Sequence, residues 1–203
     1  APSGSLFVSS PLLIDLDGDR IESEIAVIGA DSSGVYTLYA YTAAGAQLGT
    51  FAIPGATHYD PVWADLDSTG GREIIITTLS GDVLLISYSG GQFSSRVLFS
   101  TGEASGVAFT GIRRELVVNF PQSNEIRFYK ETGGTWSLAE THPLPSAILY
   151  PIISDQQNIR IVYGIDRQGR LIAYNRVRRA MMYPFPVSLG ATPVDGPFFV
   201  DFN

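Results

Sequence analysis

The sequence predicts an all-β fold, a β-propeller made of four-stranded blades, on three observations. A proline followed four residues later by aspartate recurs as Pro11…Asp15, Pro61…Asp65, Pro151…Asp155 and Pro197…Asp201, and a degenerate copy, Gly106-Val107-Ala108-Phe109-Thr110, fills the gap in the series. The lead positions fall 50, 45, 45 and 46 residues apart, a period within the range of propellers and solenoids. Three more short strand patterns follow each lead, separated by turn residues, which is the make-up of a blade. A pair of β-sandwiches would have no reason to repeat one strand–loop–strand signature five times.

The composition agrees. Hydrophobic residues make up 45% and charged residues only 16%, and 21 Gly and 12 Pro interrupt every stretch long enough for an amphipathic helix. The chain of 203 residues is ample for a sizeable core. A net charge of −7 argues against a general nucleic-acid-binding role. Residues 160–179 nevertheless hold Arg160, Arg167, Arg170, Arg176, Arg178 and Arg179, six of the twelve arginines, and are expected to form solvated outer strands. The absence of cysteine excludes disulfides, thiolate catalysis and cysteine-ligated zinc. No apolar run reaches the roughly 18 residues of a transmembrane segment. Ala1–Ser5 lacks the charged start and apolar core of a leader, so the chain is expected to be mature or excised from a longer one.

The repeat assigns residues 1–10 to the end of a preceding blade or a closing strand. Residues 11–60, 61–105, 106–150 and 151–196 form four blades, and 197–203 begin a fifth, all in one propeller domain. Four whole repeats with ragged ends suggest a segment of a larger propeller; a closed ring of four or five blades is the alternative. In each blade the lead strand runs into a loop. A charged residue then opens a continuous apolar run, Glu24-Ile25-Ala26-Val27, Glu73-Ile74-Ile75-Ile76, Glu115-Leu116-Val117-Val118 or Arg160-Ile161-Val162-Tyr163. Such runs suit strands buried on both faces. Turns such as Ser32-Ser33-Gly34 and Ser80-Gly81-Asp82 lead to a third strand rich in aromatics, Val35–Tyr41, Val83–Tyr88, Ile126–Tyr129 and Leu171–Tyr174. A less apolar fourth strand follows, as in Gln47–Ile53 or Ser95–Phe99, in keeping with an exposed edge.

The chemistry is concentrated in Asp15-Leu16-Asp17-Gly18-Asp19. Three carboxylates on alternate residues of a tight loop turn toward one point, where their repulsion calls for a cation. A hard ion with six to eight oxygen ligands fits, hence calcium; magnesium, with its strict octahedron, fits worse. The flanks are strand-like, so an EF-hand is excluded. An acidic Asp-Gly turn without metal is the plain alternative.

On this motif, and on the repeat around it, the sequence resembles the FG-GAP or VCBS repeats that build integrin-α-like β-propellers. Nearly the whole chain is covered, with one clear motif and several degraded ones. The resemblance implies calcium in the loop between a blade's first two strands. In the first loop it would be held by Asp15, Asp17, Asp19, the Ile21 carbonyl and a later acid. That loop is one residue longer than the family pattern, which places Ser23 at the ninth position, and Glu24 is the favoured last ligand. The second loop has the family's length and offers Asp65, Asp67, the Thr69 hydroxyl, the Gly71 carbonyl and Glu73. The third and fourth loops are shorter, nine positions from lead residue to strand-opening residue against thirteen and twelve. They lack an acid triad and carry Arg113, Arg114 and Arg160, so no metal is expected there.

Other residues carry less. His58 and His142 are expected to be ordinary loop histidines, and Trp63 to be core. Trp136, opening a fourth strand, is either core or an exposed rim aromatic. The segment 178–186 has an interface-like mixture of Arg, Met and aromatics but is expected to be a covered outer strand and connector. No nucleophile elbow or phosphate-binding glycine loop is present. The expected function is therefore a calcium-stabilised extracellular scaffold or adhesion module for a protein or glycan ligand, joined to further blades or domains. The alternative is the propeller part of a secreted polysaccharide-degrading enzyme, a lyase or hydrolase, marked by Tyr, His and Arg lining a groove. A quinone-cofactor propeller lacks its recurring tryptophan motif here.

Overall fold

The structure, a computed structural model, describes residues 6–21, 23–57, 60–66, 71–103, 106–110, 114–156 and 159–190. Every regular element among them is a strand, and the strands form four antiparallel sheets whose members are paired largely in chain order. This is the all-β, four-stranded-blade architecture expected from the repeat. The chain divides into two compact units, 1–105 and 106–203, with two sheets in each.

In the first unit, β1 (Leu6–Phe7) and β2 (Leu12–Ile14) both pair with β3 (Glu24–Ala30), and β4 (Tyr36–Tyr41) and β5 (Gln47–Ala52) complete the sheet. Leu6 and Phe7 face Ala30 and Gly29, while Leu12 to Ile14 face Ala26 to Glu24, so one edge of β3 is covered by a strand broken in the middle. Pro11 has no N–H for the ladder, and it sits in that break. The Ser9 hydroxyl fills in, accepting the Ile28 N–H at 2.9 Å. The second sheet is a meander of β6 (Val62–Ala64), β7 (Glu73–Thr77), β8 (Asp82–Ser89) and β9 (Gln92–Ser100). All five residues of β7 are buried, as its unbroken apolar run requires. Ile14, Ala26, Ile28, Leu38 and Ala40 of the first sheet share one core with Ile74, Ile76, Leu84 and Ile86 of the second. Trp63 packs against this core with the Arg72 guanidinium 3.7 Å above its ring.

In the second unit, β10 (Val107–Thr110), β11 (Glu115–Phe120), β12 (Glu125–Thr132) and β13 (Thr135–Pro143) form the third sheet. Trp136 is buried there, which settles it as core. The fourth sheet pairs β14 (Leu149–Gln156), β15 (Ile159–Ile165) and β16 (Arg170–Asn175). Its outer strand is split into β17 (Ala180–Met181) and β18 (Val187–Ser188), which bond to opposite ends of β16. Between them Tyr183 is 97% exposed, so the segment 178–186 is an outer strand and connector but not a covered one. Residues 191–203, including the Pro197…Asp201 copy, lie outside the described residues.

The β14–β15 register slips between Leu149 and Ile152, setting Tyr150 and Pro151 opposite the single residue Gly164. A bulge tolerates a proline because the extra residue is outside the ladder. It also presses the backbone inward: a Cβ on Gly164 would lie 2.2 Å from Ile148 Cγ2 and 2.7 Å from the Leu149 carbonyl oxygen. Gly164→Ala is therefore expected to destabilise the protein by about 1–3 kcal/mol, the usual cost of overpacking. Urea denaturation checks this, with Gly49→Ala as the control, a glycine likewise outside the left-handed region whose Cβ would meet the Phe93 ring at 3.2 Å and no backbone atom within 4 Å.

Candidate metal centre

The first loop closes on its own strand. Glu24, buried at the start of β3, accepts the Leu16 N–H at 3.0 Å and a hydrogen bond from the Ser23 hydroxyl. Tying Leu16 back to Glu24 curls the intervening chain. Asp15 stabilises the curl with both carboxylate oxygens, accepting the N–H groups of Gly18 and Arg20 at 2.8 Å each. Arg20 is held at a φ of 71° by this contact, a left-handed conformation worth roughly 1–2 kcal/mol of strain in a residue with a Cβ. Asp17 and Asp19 each accept a backbone N–H two residues on, from Asp19 and Ile21.

The result brings Asp15, Asp17 and Asp19 together, with one oxygen of each within 4.8 Å of the others. Asp15 is buried and the other two are exposed. Like charges at such a separation repel by about 1 kcal/mol per pair in water and about 4 near a protein surface. The backbone N–H bonds offset this most fully at Asp15. The donor set fits a hard, oxygen-seeking cation, whose ligands here would be Asp15, Asp17 and Asp19. Glu24 is not brought into the group, being turned to Leu16 and Ser23. The Ile21 carbonyl accepts the Ser23 N–H at 2.8 Å.

The second loop repeats the closure: Glu73 accepts the Leu66 N–H at 2.9 Å. Asp65 is exposed where Asp15 is buried, and Asp67 and Thr69 lie outside the described residues. Among the described residues the first loop supplies the one group of three acidic or imidazole side chains suited to a metal. The end of the second loop instead supports the first. The Arg72 N–H donates to the Asp15 carbonyl at 2.7 Å, and Gly71 comes so near that a Cβ would meet the Leu16 carbonyl oxygen at 2.8 Å.

The third and fourth blades handle the same position differently. Glu115 is buried at the start of β11 and Arg160 at the start of β15, 45 residues later, and they form an ion pair at 2.7 Å. Arg176 adds a second bond to the same Glu115 oxygen at 2.7 Å and reaches Glu140 at 2.6 Å. The Arg176 guanidinium also stacks 4.0 Å above the Phe128 ring. His142 Nε2 lies 2.8 Å from Glu140, and Nδ1 lies 2.8 Å from the Tyr174 hydroxyl. A neutral ring with its hydrogen on Nε2 donates to Glu140 and accepts from Tyr174. Hydrogen bonds from Arg176, with a smaller one from His142, hold the Glu140 carboxyl down to about 2, and burial pushes the Tyr174 phenol up.

Two expectations are corrected by this network. His142 is not a loop residue but belongs to β13 and is buried, because its two ring nitrogens both find partners there. The arginine cluster is not uniformly solvated: Arg160 and Arg176 are 5% and 7% exposed, neutralised by Glu115 and Glu140. His58 lies outside the described residues.

No protein-family model and no curated protein matches the chain. Solved structures do. The chain is similar to Saccharomyces cerevisiae Sqt1, with a TM-score of 0.61 and 12% identity over 93% of this chain and 51% of that one. It is also similar to BBS1N, solved in complex with ARL6DN, with a TM-score of 0.53 and 15% identity over 91% of this chain and 55% of that one. The chain spans about half the length of these structures. At such identities the likeness establishes the fold, and the protein is a β-propeller of four-stranded blades.

The network carries a pH prediction. A carboxyl held below its unfolded value of 4.5 contributes fully above that pH, and its contribution is lost as pH falls toward about 2. The stability difference between the parent and Glu140→Gln is expected to shrink across this window, measured by urea denaturation at stepped pH. Arg176→Met, which removes the charged hydrogen bonds to Glu115 and Glu140 but leaves Glu115 paired with Arg160, is expected to cost about 1.5–3 kcal/mol at neutral pH in the same assay.

Proposed function

We propose that the protein is a non-enzymatic extracellular propeller scaffold of the FG-GAP or VCBS kind. Calcium braces its first blade, and its loops meet a protein or glycan ligand. The observation that carries this is the convergence of Asp15, Asp17 and Asp19 on one point. A bound cation would relieve their repulsion and tie the loop ends together, a contribution to folding and not to catalysis. Millimolar calcium outside the cell can fill even a modest site of this kind. BBS1N, a similar fold, is seen in complex with ARL6DN, which supports a protein ligand for this chain. The enzymatic alternative called for Tyr, His and Arg lining a groove. His142, Tyr174 and Arg176 do cluster, but His142 and Tyr174 are buried against each other, and Arg176, which lines a cleft, is tied to Glu115 and Glu140, which favours the scaffold.

Thermal melting in millimolar calcium and in chelator tests this on the parent and on Asp17→Ala/Asp19→Ala. A site filled to about 100 times its Kd adds about 2.7 kcal/mol, or roughly 5–10 °C in a domain of this size. The parent is expected to show such a rise and the double variant none. In chelator the variant is expected to melt close to the parent, the relief of repulsion being offset by loss of the two backbone hydrogen bonds that Asp17 and Asp19 accept. A parent midpoint indifferent to calcium would overturn the metal brace.

A further inference from the structure

Beside the ion-pair network the second unit opens into a cleft of about 480 Å³. Its walls hold Glu115, Glu140, Arg160, Arg176, Lys130 and Arg179. Four cations against two carboxylates leave a charge of +2 there, on a chain whose net charge is −7. The cations are of two kinds. Arg176 commits Nη1 to Glu115 and both Nη2 and Nε to Glu140, and Arg160 is bound to Glu115. Lys130 and Arg179 are exposed and make no ion pair among the described residues.

Two local features present this arrangement. The β12–β13 register shifts between Phe128 and Tyr129, leaving Ala139 as the extra residue beside Glu140, and bulges of this kind re-aim neighbouring side chains. The turn after β16 is closed by Asn175 Oδ1 accepting the Arg178 N–H at 2.9 Å, with Arg179 in a left-handed conformation at a φ of 51°. That turn also places Val177, 70% exposed, on the cleft wall.

We propose that this cleft is the docking site for an acidic peptide segment of a partner protein. The charge is complementary, and the volume exceeds what a lone oxyanion fills. Each nitrogen of the buried Arg176 guanidinium already donates to a carboxylate, so the cleft offers an electropositive floor, with Lys130 and Arg179 as its exposed point charges. Ala139 and Val177 add apolar contact for the segment's side-chain stems and backbone. The inference names the ligand chemistry of the scaffold reading and rests on it, but it does not depend on calcium.

Lys130 is the one lysine of the sequence, which provides a site-specific probe. Reductive ¹³C-methylation would label it and the amino terminus, whose signals are resolved by chemical shift. Titration with a short Glu-rich peptide at low salt is expected to shift the Lys130 signal saturably. A Gln-substituted peptide should leave it in place. Lys130→Glu/Arg179→Glu should weaken peptide binding, followed by calorimetry, by roughly tenfold or more, with Arg96→Glu on β9 within about twofold of the parent. No saturable response to the Glu-rich peptide would overturn the proposal. So would inorganic phosphate shifting Lys130 and displacing the peptide at equal concentration, which would mark a small-anion site. Loss of peptide binding with intact calcium-dependent melting would sink this inference alone. A calcium-indifferent protein that still binds the peptide would sink only the metal brace.

Discussion

A charged side chain is buried at the start of the second strand of every blade, and each must find a counterpart. Glu24, Glu73, Glu115 and Arg160 occupy this position with exposures of 3–5%. Burying an ion without a partner costs several kcal/mol, so the loop before each strand is shaped by how that need is met. In the first two blades the carboxylate takes the N–H of Leu16 or Leu66, the residue just after the lead aspartate. The chain must therefore turn back on itself within eight or seven residues. That turn is what gathers Asp15, Asp17 and Asp19. In the last two blades the loops are too short for such a curl, and Glu115 and Arg160 neutralise each other directly. One requirement thus yields both the candidate metal loop and the ion-pair network.

The strands were legible because their signals are local. A run such as Glu73-Ile74-Ile75-Ile76 has no polar face, and β7 is buried throughout. The third strands begin and end within a few residues of their apolar patterns because Gly and Asn punctuate them. Interruptions were harder to see. Nothing in Ser9-Ser10-Pro11 says that Leu6 and Phe7 return to the sheet that β2 also joins, since that depends on the Ser9 hydroxyl reaching Ile28 across 19 residues. The split of the last outer strand into β17 and β18 likewise follows from where β16 offers free edge bonds, which composition does not encode.

The sites divide in the same way. The acid triad is a local motif, and alternation alone put its members together. Glu140 escaped notice, and His142 and Arg176 were expected in the wrong surroundings, because the contacts that tie the network across strands join residues 32 to 61 apart along the chain. One signal was available. Glu115 and Arg160 sit at equivalent repeat positions with opposite charge, and a change of sign at a conserved place in a repeat implies that neighbouring copies have become partners. Arg160 was expected to lie on a solvated outer strand and to repel a metal. Its attraction to Glu115 is the larger fact.

This also accounts for the uneven charge along the chain. Acidic loops fall in the first 75 residues and half the arginines in residues 160–179. A loop that gathers three carboxylates leaves its balance to the solvent, and the proposed calcium would supply it only where the ion is abundant. The network of Glu115, Glu140, Arg160 and Arg176 carries its own balance, two acids against two bases, at any calcium level. Because that inner set is already neutral, the positive charge left over at its mouth belongs to Lys130 and Arg179, on side chains that reach water. Charge spent inside stabilises the blades, and charge left outside is what a ligand can meet.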